Sequence, residues 1–143
     1  MPNTTSNVIL YATLAARYPV INIATSTATT QTLLITAAST GTIVTDILWR
    51  TSDATPRVWE FIICATGSQA TAGNNRVAFT IPASSGNNGT VAIASLAALV
   101  PALFDIDLAG NRVITLESGQ SIYVQNNATS AGYNYITAKA RDY

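Results

Sequence analysis

The chain is punctuated. Short runs rich in threonine and β-branched residues recur about every ten residues, each closed by a cluster of Gly, Asn, Ser, Pro or Asp, and that rhythm leaves little room for a helical core. The clearest runs are QTLLIT (31–36), TIVTDILWR (42–50), RVWEFIICAT (57–66), RVAFTIP (76–82), NRVITLE, SIYVQNN and YNYITAKARDY. Between them lie AASTG, TSDATP, GSQATAGNN, SSGNNG, SGQ and ATSAG, whose residues suit turns. Eight or nine such strands and no long helix predict an all-β fold, an antiparallel β-sandwich or jelly-roll-like domain with an extended N-terminal arm.

Alternation sharpens the prediction. Ile43, Thr45, Ile47 and Trp49 fall on one face of their run, with Val44, Asp46, Leu48 and Arg50 on the other. Arg57, Trp59, Phe61 and Ile63 likewise alternate with Val58, Glu60, Ile62 and Cys64. Both faces carry apolar residues, as expected where one meets a core and the other is partly covered. Trp49 and Trp59, on neighbouring strands joined by TSDATP, are expected to pair in the core. The last three runs read as a meander, with Ile122 and Val124 opposed to Tyr123, and Ile136 and Ala138 opposed to Tyr133, Tyr135 and Thr137.

Two stretches depart from this rhythm. Val8 to Val20 is apolar and fits a short helix or a strand; Tyr18 before Pro19 favours extension. Leu96 to Val100 is helical in composition, but Pro101 limits it to a short connection or single turn between strands. The predicted organisation is an arm and lead-in over residues 1–20 and one sandwich domain over 21–143.

Residue inventory restricts the chemistry. The chain contains no histidine, one cysteine (Cys64), one lysine (Lys139), 21 threonines and 23 alanines. Groups that titrate near neutrality are thus almost missing, and no GxSxG or phosphate-cradling glycine motif occurs. Asp105 and Asp107, two apart in FDID, could flank a glycosidic bond or hold a cation; a solvated strand end beside LAGN is the favoured reading. The amide-rich loops carry no carboxylate for calcium. Cys64, in FIIC, reads as a buried thiol. The expectation is a protein that is not an enzyme, with no catalytic residue, cofactor or metal.

Seven cations balance seven anions, and charged residues make up only 10% of the chain. A neutral surface without a basic stripe argues against nucleic acid and favours permanent assembly. No run reaches the length of a membrane span, and the opening MPNTTSNVILYATLAARYPV lacks the basic start and long apolar core of a signal peptide. Contacts are expected through the arm (Pro2, Asn3, Thr4, Thr5, Ser6 and Asn7), able to add a strand to a neighbour, and through Tyr123, Tyr133 and Tyr135, expected to cluster. Tyrosine faces also suit sugars, so a carbohydrate-binding module is the alternative.

The order of these pieces resembles a known class. TTQTLLIT, a glycine turn, TIVTDILWRTSDATPRVWEFIICATG and the closing LESGQSIYVQNNATSAGYNYITAKARDY are similar to small β-sandwich virion proteins encoded among the head and tail genes of tailed bacteriophages. The likeness runs from Thr29 to Tyr143, is strongest in SGQSIYV and RDY, and breaks at SLAALVPALFDID. It implies a virion location, capsid or other virion proteins as partners, and a decoration or cement role on the shell as a homo-oligomer, a trimer by analogy. A tail or fibre-associated subunit is the second possibility it implies.

Overall fold

A computed structural model describes residues 15–24, 29–71 and 74–143. Among these residues eleven strands form two antiparallel sheets: β1 (Ala15–Arg17), β2 (Val20–Ile23), β3 (Gln31–Thr36), β4 (Thr42–Thr51), β5 (Arg57–Ala65), β6 (Asn75–Ile81), β7 (Ala94–Ser95), β8 (Asp105–Ile106), β9 (Arg112–Leu116), β10 (Gln120–Asn126) and β11 (Asn134–Asp142). The first sheet runs β1-β11-β4-β9-β8; β2 continues the β1 edge of β11, and β7 the β9 edge of β4. The second runs β3-β10-β5-β6. The chain therefore shuttles between sheets, giving β2-β11-β4-β9 facing β3-β10-β5-β6, the double Greek key of a jelly roll. The expected all-β sandwich is present.

Inward residues follow the period of two. Trp49, Trp59, Phe61, Ile122, Val124 and Ile136 are all fully or almost fully buried between the sheets. Trp49 meets Trp59 edge-on, with ring centroids 4.7 Å apart, and Phe79 at 5.6 Å. The indole pair expected in the core is there, but it spans the sandwich. β4 and β5 belong to opposite sheets, not to one hairpin, and the C-terminal meander is likewise replaced by β9 and β11 in the first sheet with β10 in the second. Alternation cannot separate these cases, because a hairpin and an arch between sheets both turn one apolar face toward the same core.

A bulge corrects the face assignment in β4. Lys139 of β11 pairs with Asp46 and Ala140 with Val44, leaving Thr45 as an extra residue. Parity flips there, so Val44, Ile47 and Trp49 all point inward while Ile43 and Asp46 face outward. The freed Asp46 carboxylate accepts bonds from Ser95 Oγ (2.8 Å) and Ala97 N–H (3.2 Å). It thereby fastens the single-turn α1 (Leu96–Leu99), which stops before the 3-10 turn Pro101–Leu103 as the proline requires. The extended reading of the lead-in holds over its described part: β1 and β2 are strands, interrupted at Tyr18 and Pro19.

At one corner a latch joins both sheets. Arg17 Nη1 donates to Asp142 (2.9 Å) and to the Thr36 carbonyl (3.2 Å), while Thr42 Oγ1 donates to Asp142 (2.6 Å). At the opposite end the chain runs too close for a side chain: a Cβ on Gly132 would lie 2.5 Å from the Asp53 nitrogen and 2.8 Å from the Ser52 carbonyl carbon. Both neighbours are backbone and cannot swing aside. Gly132→Ala is expected to lower stability by about 2 kcal/mol, the scale of core overpacking, read as a fall in the urea midpoint at unchanged m-value.

Candidate functional site

The two outer faces differ in how their polar groups are satisfied. Across the second sheet, Gln31 Nε2 donates to Gln125 (2.9 Å), Gln125 Nε2 to Glu60 (3.3 Å), and Arg76 Nη1 to Glu60 (3.3 Å), one ladder over four strands. A second ladder links Thr36, Ser121 and Thr66 through hydroxyls at 3.1 and 2.6 Å. Beside them Ile62, Cys64 and Tyr123 form a small buried cluster, and the turn after β5 folds back so that Gly67 N–H donates to Tyr123 Oη at 3.0 Å. Burial pushes the Cys64 thiol up, against a smaller opposing pull from Arg76. That face is finished.

The outer face of the first sheet is not. Every second residue of β11 from Tyr133 to Arg141 projects outward: Tyr133 just before the strand, then Tyr135, Thr137, Lys139 and Arg141. Arg50 lies opposite Tyr135 across β4. Its guanidinium carbon is 6.0 Å from the Tyr133 ring centroid and 5.9 Å from that of Tyr135, at the limit of a cation–π contact. The two tyrosines meet edge-on at 5.2 Å, and Tyr133 Oη donates to Asn87 Oδ1 at 2.7 Å. Tyr135, Arg50 and Asn22 are exposed side by side along one registered row. This aromatic and cationic cluster is the candidate partner-binding site.

A buried polar chain holds it. Trp49 Nε1 donates to Asn134 Oδ1 (3.1 Å), Asn134 Nδ2 to Ser130 Oγ (3.0 Å), and Ser130 Oγ to Asp53 Oδ2 (3.3 Å). Asp53 Oδ2 also accepts from Arg57 Nε at 2.7 Å, and Oδ1 from Thr55 N–H at 2.9 Å. The neighbouring Ser52 then clamps Tyr133 from both sides, its N–H donating to the Tyr133 carbonyl and its Oγ accepting from Tyr133 N–H, each at 3.0 Å. The loops after β4, β6 and β10 thus converge beneath the two tyrosines.

The tyrosine trio of the sequence divides. Tyr133 and Tyr135 come together; Tyr123 is buried on the other sheet as a consequence of β10 and β11 parting company. Arm residues 2–7 lie outside the described residues. Asp105, in β8, is exposed at the end of the first sheet, and Asp107 serves its own turn, with Oδ1 accepting from Ala109 and Asn111 N–H at 2.9 and 2.8 Å and Oδ2 from Asn111 Nδ2 at 3.2 Å. Those bonds, led by Asn111 N–H, hold its carboxyl below the ordinary value. Among the described residues no three His, Cys, Asp or Glu side chains gather as a metal site, and no helix is long and apolar enough to cross a membrane. Sequence patterning does not single out Arg50 or Asn87; the opposition of Arg50 to Tyr135 across a strand pair marks the site, and it is invisible without the register.

Fold and site together define a jelly-roll sandwich with one unfinished face. No family model matches the chain, and no curated protein matches it. Among solved structures, a chain described as "Cyanophage Pam1 capsid asymmetric unit" is similar with a TM-score of 0.46 and 15% identity over 91% of this chain and 85% of that one.

The support beneath Tyr133 has a pH signature. Burial pushes the Asp53 carboxyl up, but the Arg57 guanidinium and the N–H groups of Thr55 and Ala131 outweigh it and leave the pKa lowered. A lowered folded value means the stabilisation is complete above the unfolded carboxylate value of about 4 and is lost as pH falls through the folded one. Asp53→Asn is expected to lose about 2 kcal/mol at pH 7 and to narrow the gap to wild type on acidification toward pH 3, in urea melts at the two pH values.

Proposed function

We propose that this chain is a non-enzymatic structural subunit of a bacteriophage virion, a decoration or cement protein that binds the outer shell as a homo-oligomer and stabilises it. The observation that carries this reading is the contrast between the two sheets: one satisfies its outward polar groups across its own strands, and the other gathers Tyr133, Tyr135 and Arg50 at its outer surface. Tyrosine and arginine are the residues that dominate protein contacts, and a rigid strand presents them at low entropic cost. The resemblance of SGQSIYV and RDY to small phage virion proteins points the same way, as does a residue inventory without imidazole and poor in charge. The arm residues Pro2 to Asn7 complete the contact by adding a strand to the adjacent subunit.

Particles stripped of the protein supply the test. Added back, the wild-type chain is expected to restore full occupancy with little dependence on salt, because the contact is mainly aromatic and main-chain and Arg50 is the one cation in the cluster. Tyr135→Ala combined with Arg50→Ala should lower apparent affinity by about thirtyfold or more, the loss typical of an interface hot spot. Deleting residues 2–7 should weaken binding without changing the circular dichroism spectrum. Undiminished occupancy of both variants would remove the reading.

A further inference from the structure

Farther along the same face, past Thr137, lies a second feature. A groove of about 930 Å³ is floored by Ile43, Thr45, Lys139 and Arg141, walled on one side by Tyr18 and on the other by the turn from Asp107 to Arg112. Its charge is unusual for this molecule. Three of the seven cations are ion-paired elsewhere, Arg17 to Asp142, Arg57 to Asp53 and Arg76 to Glu60. Of the other four, Arg112, Lys139 and Arg141 line this groove. Asp107 is the one carboxylate among the lining residues, and its oxygens are already taken up by Ala109 and Asn111. Arg112 is held in place by Nη1 donating to the Ala97 carbonyl at 2.6 Å, while the side chains of Lys139 and Arg141 have no hydrogen bond or ion pair among the described residues. The Tyr18 ring stands at the rim, 64% exposed.

We infer that this groove binds a sparsely charged acidic oligosaccharide, one carrying carboxylates at intervals along a hydroxyl-rich chain. Three observations select that ligand. An excess of cations over one committed carboxylate calls for an anion, and Lys139 and Arg141, two apart on a strand and so about 7 Å from each other, suit separated carboxylates. An exposed tyrosine ring at the rim offers a stacking face for a pyranose. The floor is the face of a sheet whose β4 and β11 pair with each other on either side of the Thr45 bulge, so an extended peptide laid across it would find few backbone partners, whereas sugar hydroxyls need only side chains and water. A nucleic acid strand, with a phosphate on every unit, would meet too little positive charge.

The experiment is a calorimetric titration of the full chain with three probes: a hexasaccharide bearing a uronic acid in every second unit, the same hexasaccharide with its carboxyls reduced to alcohols, and poly-glutamate of equal charge. Saturable binding is expected for the uronic hexasaccharide alone, weakening as salt rises. Lys139→Ala with Arg141→Ala, and separately Tyr18→Ala, should each reduce affinity about tenfold or more, one through charge and the other through stacking. All three side chains are at the surface, so folding is preserved. Leu33→Ala, on the opposite sheet, should change nothing. Failure of the uronic hexasaccharide to bind, equal binding of poly-glutamate or of the reduced sugar, or indifference to the groove variants would overturn the proposal. Particle occupancy depends on the Tyr135 and Arg50 end of the face, so the two readings fail separately.

Discussion

Trp49 touches nearly everything that organises this sandwich. Its ring packs edge-on against Trp59 and Phe79 of the opposite sheet, joining the two layers at the core. Its indole N–H enters the polar chain through Asn134 and Ser130 to Asp53, joining the core to the loops at one end. An aromatic of that size removes on the order of 200 Å² from water, and its single donor must find a partner when buried. Position 49 supplies both because β4 runs through the middle of the first sheet, between β11 and the β7 and β9 edge. Replacing the ring would open a cavity and orphan the Asn134 side-chain carbonyl together, two losses that do not simply add.

Order of satisfaction explains where the surface is available. In the second sheet, Gln, Glu, Arg, Ser and Thr side chains on neighbouring strands lie within hydrogen-bond reach and saturate one another. In the first, β11 places two tyrosines, a lysine and an arginine along one line, and the only carboxylate beside them on β4, Asp46, is committed to α1 through Ser95 and Ala97. The Thr45 bulge lets Val44 join Ile47 and Trp49 in the core while Asp46 stays on the outer face beside Lys139, where its carboxylate steadies α1. A neutral chain thereby acquires a locally positive face without any change in composition.

Strand positions and inward faces are legible in the sequence. The strands fall where alternation and turn residues put them, and Ile122, Val124, Ile136 and Ala138 point inward as their spacing demands. Sheet membership is not legible, because a period of two reports which way a side chain faces and nothing about which strand lies beside it. That missing information carries Tyr123 away from Tyr133 and turns the Trp49 and Trp59 contact from a hairpin pair into a bridge across the core. The bulge is equally hidden, since Thr45 differs from its neighbours only in being surplus to the register. The groove gathers Tyr18, Arg112 and Arg141 from three separated strands or their ends, a convergence that only the closed first sheet produces.

The position of β11 also sets a schedule for the chain. It pairs with β1 and β2 on one side and with β4 on the other, so the earliest described strands and the central strand all wait for residues 134–142. A ribosome making this protein must deliver that last strand before the first sheet can close, and until then β4 and β2 display open edges while Trp49 lacks Asn134. Such long sequence separations slow folding and lengthen the time during which unpaired strands can find the wrong neighbour. Closure of the first sheet therefore waits for β11, and a truncation that removed it would leave an aggregation-prone half-sheet in place of a slightly smaller domain.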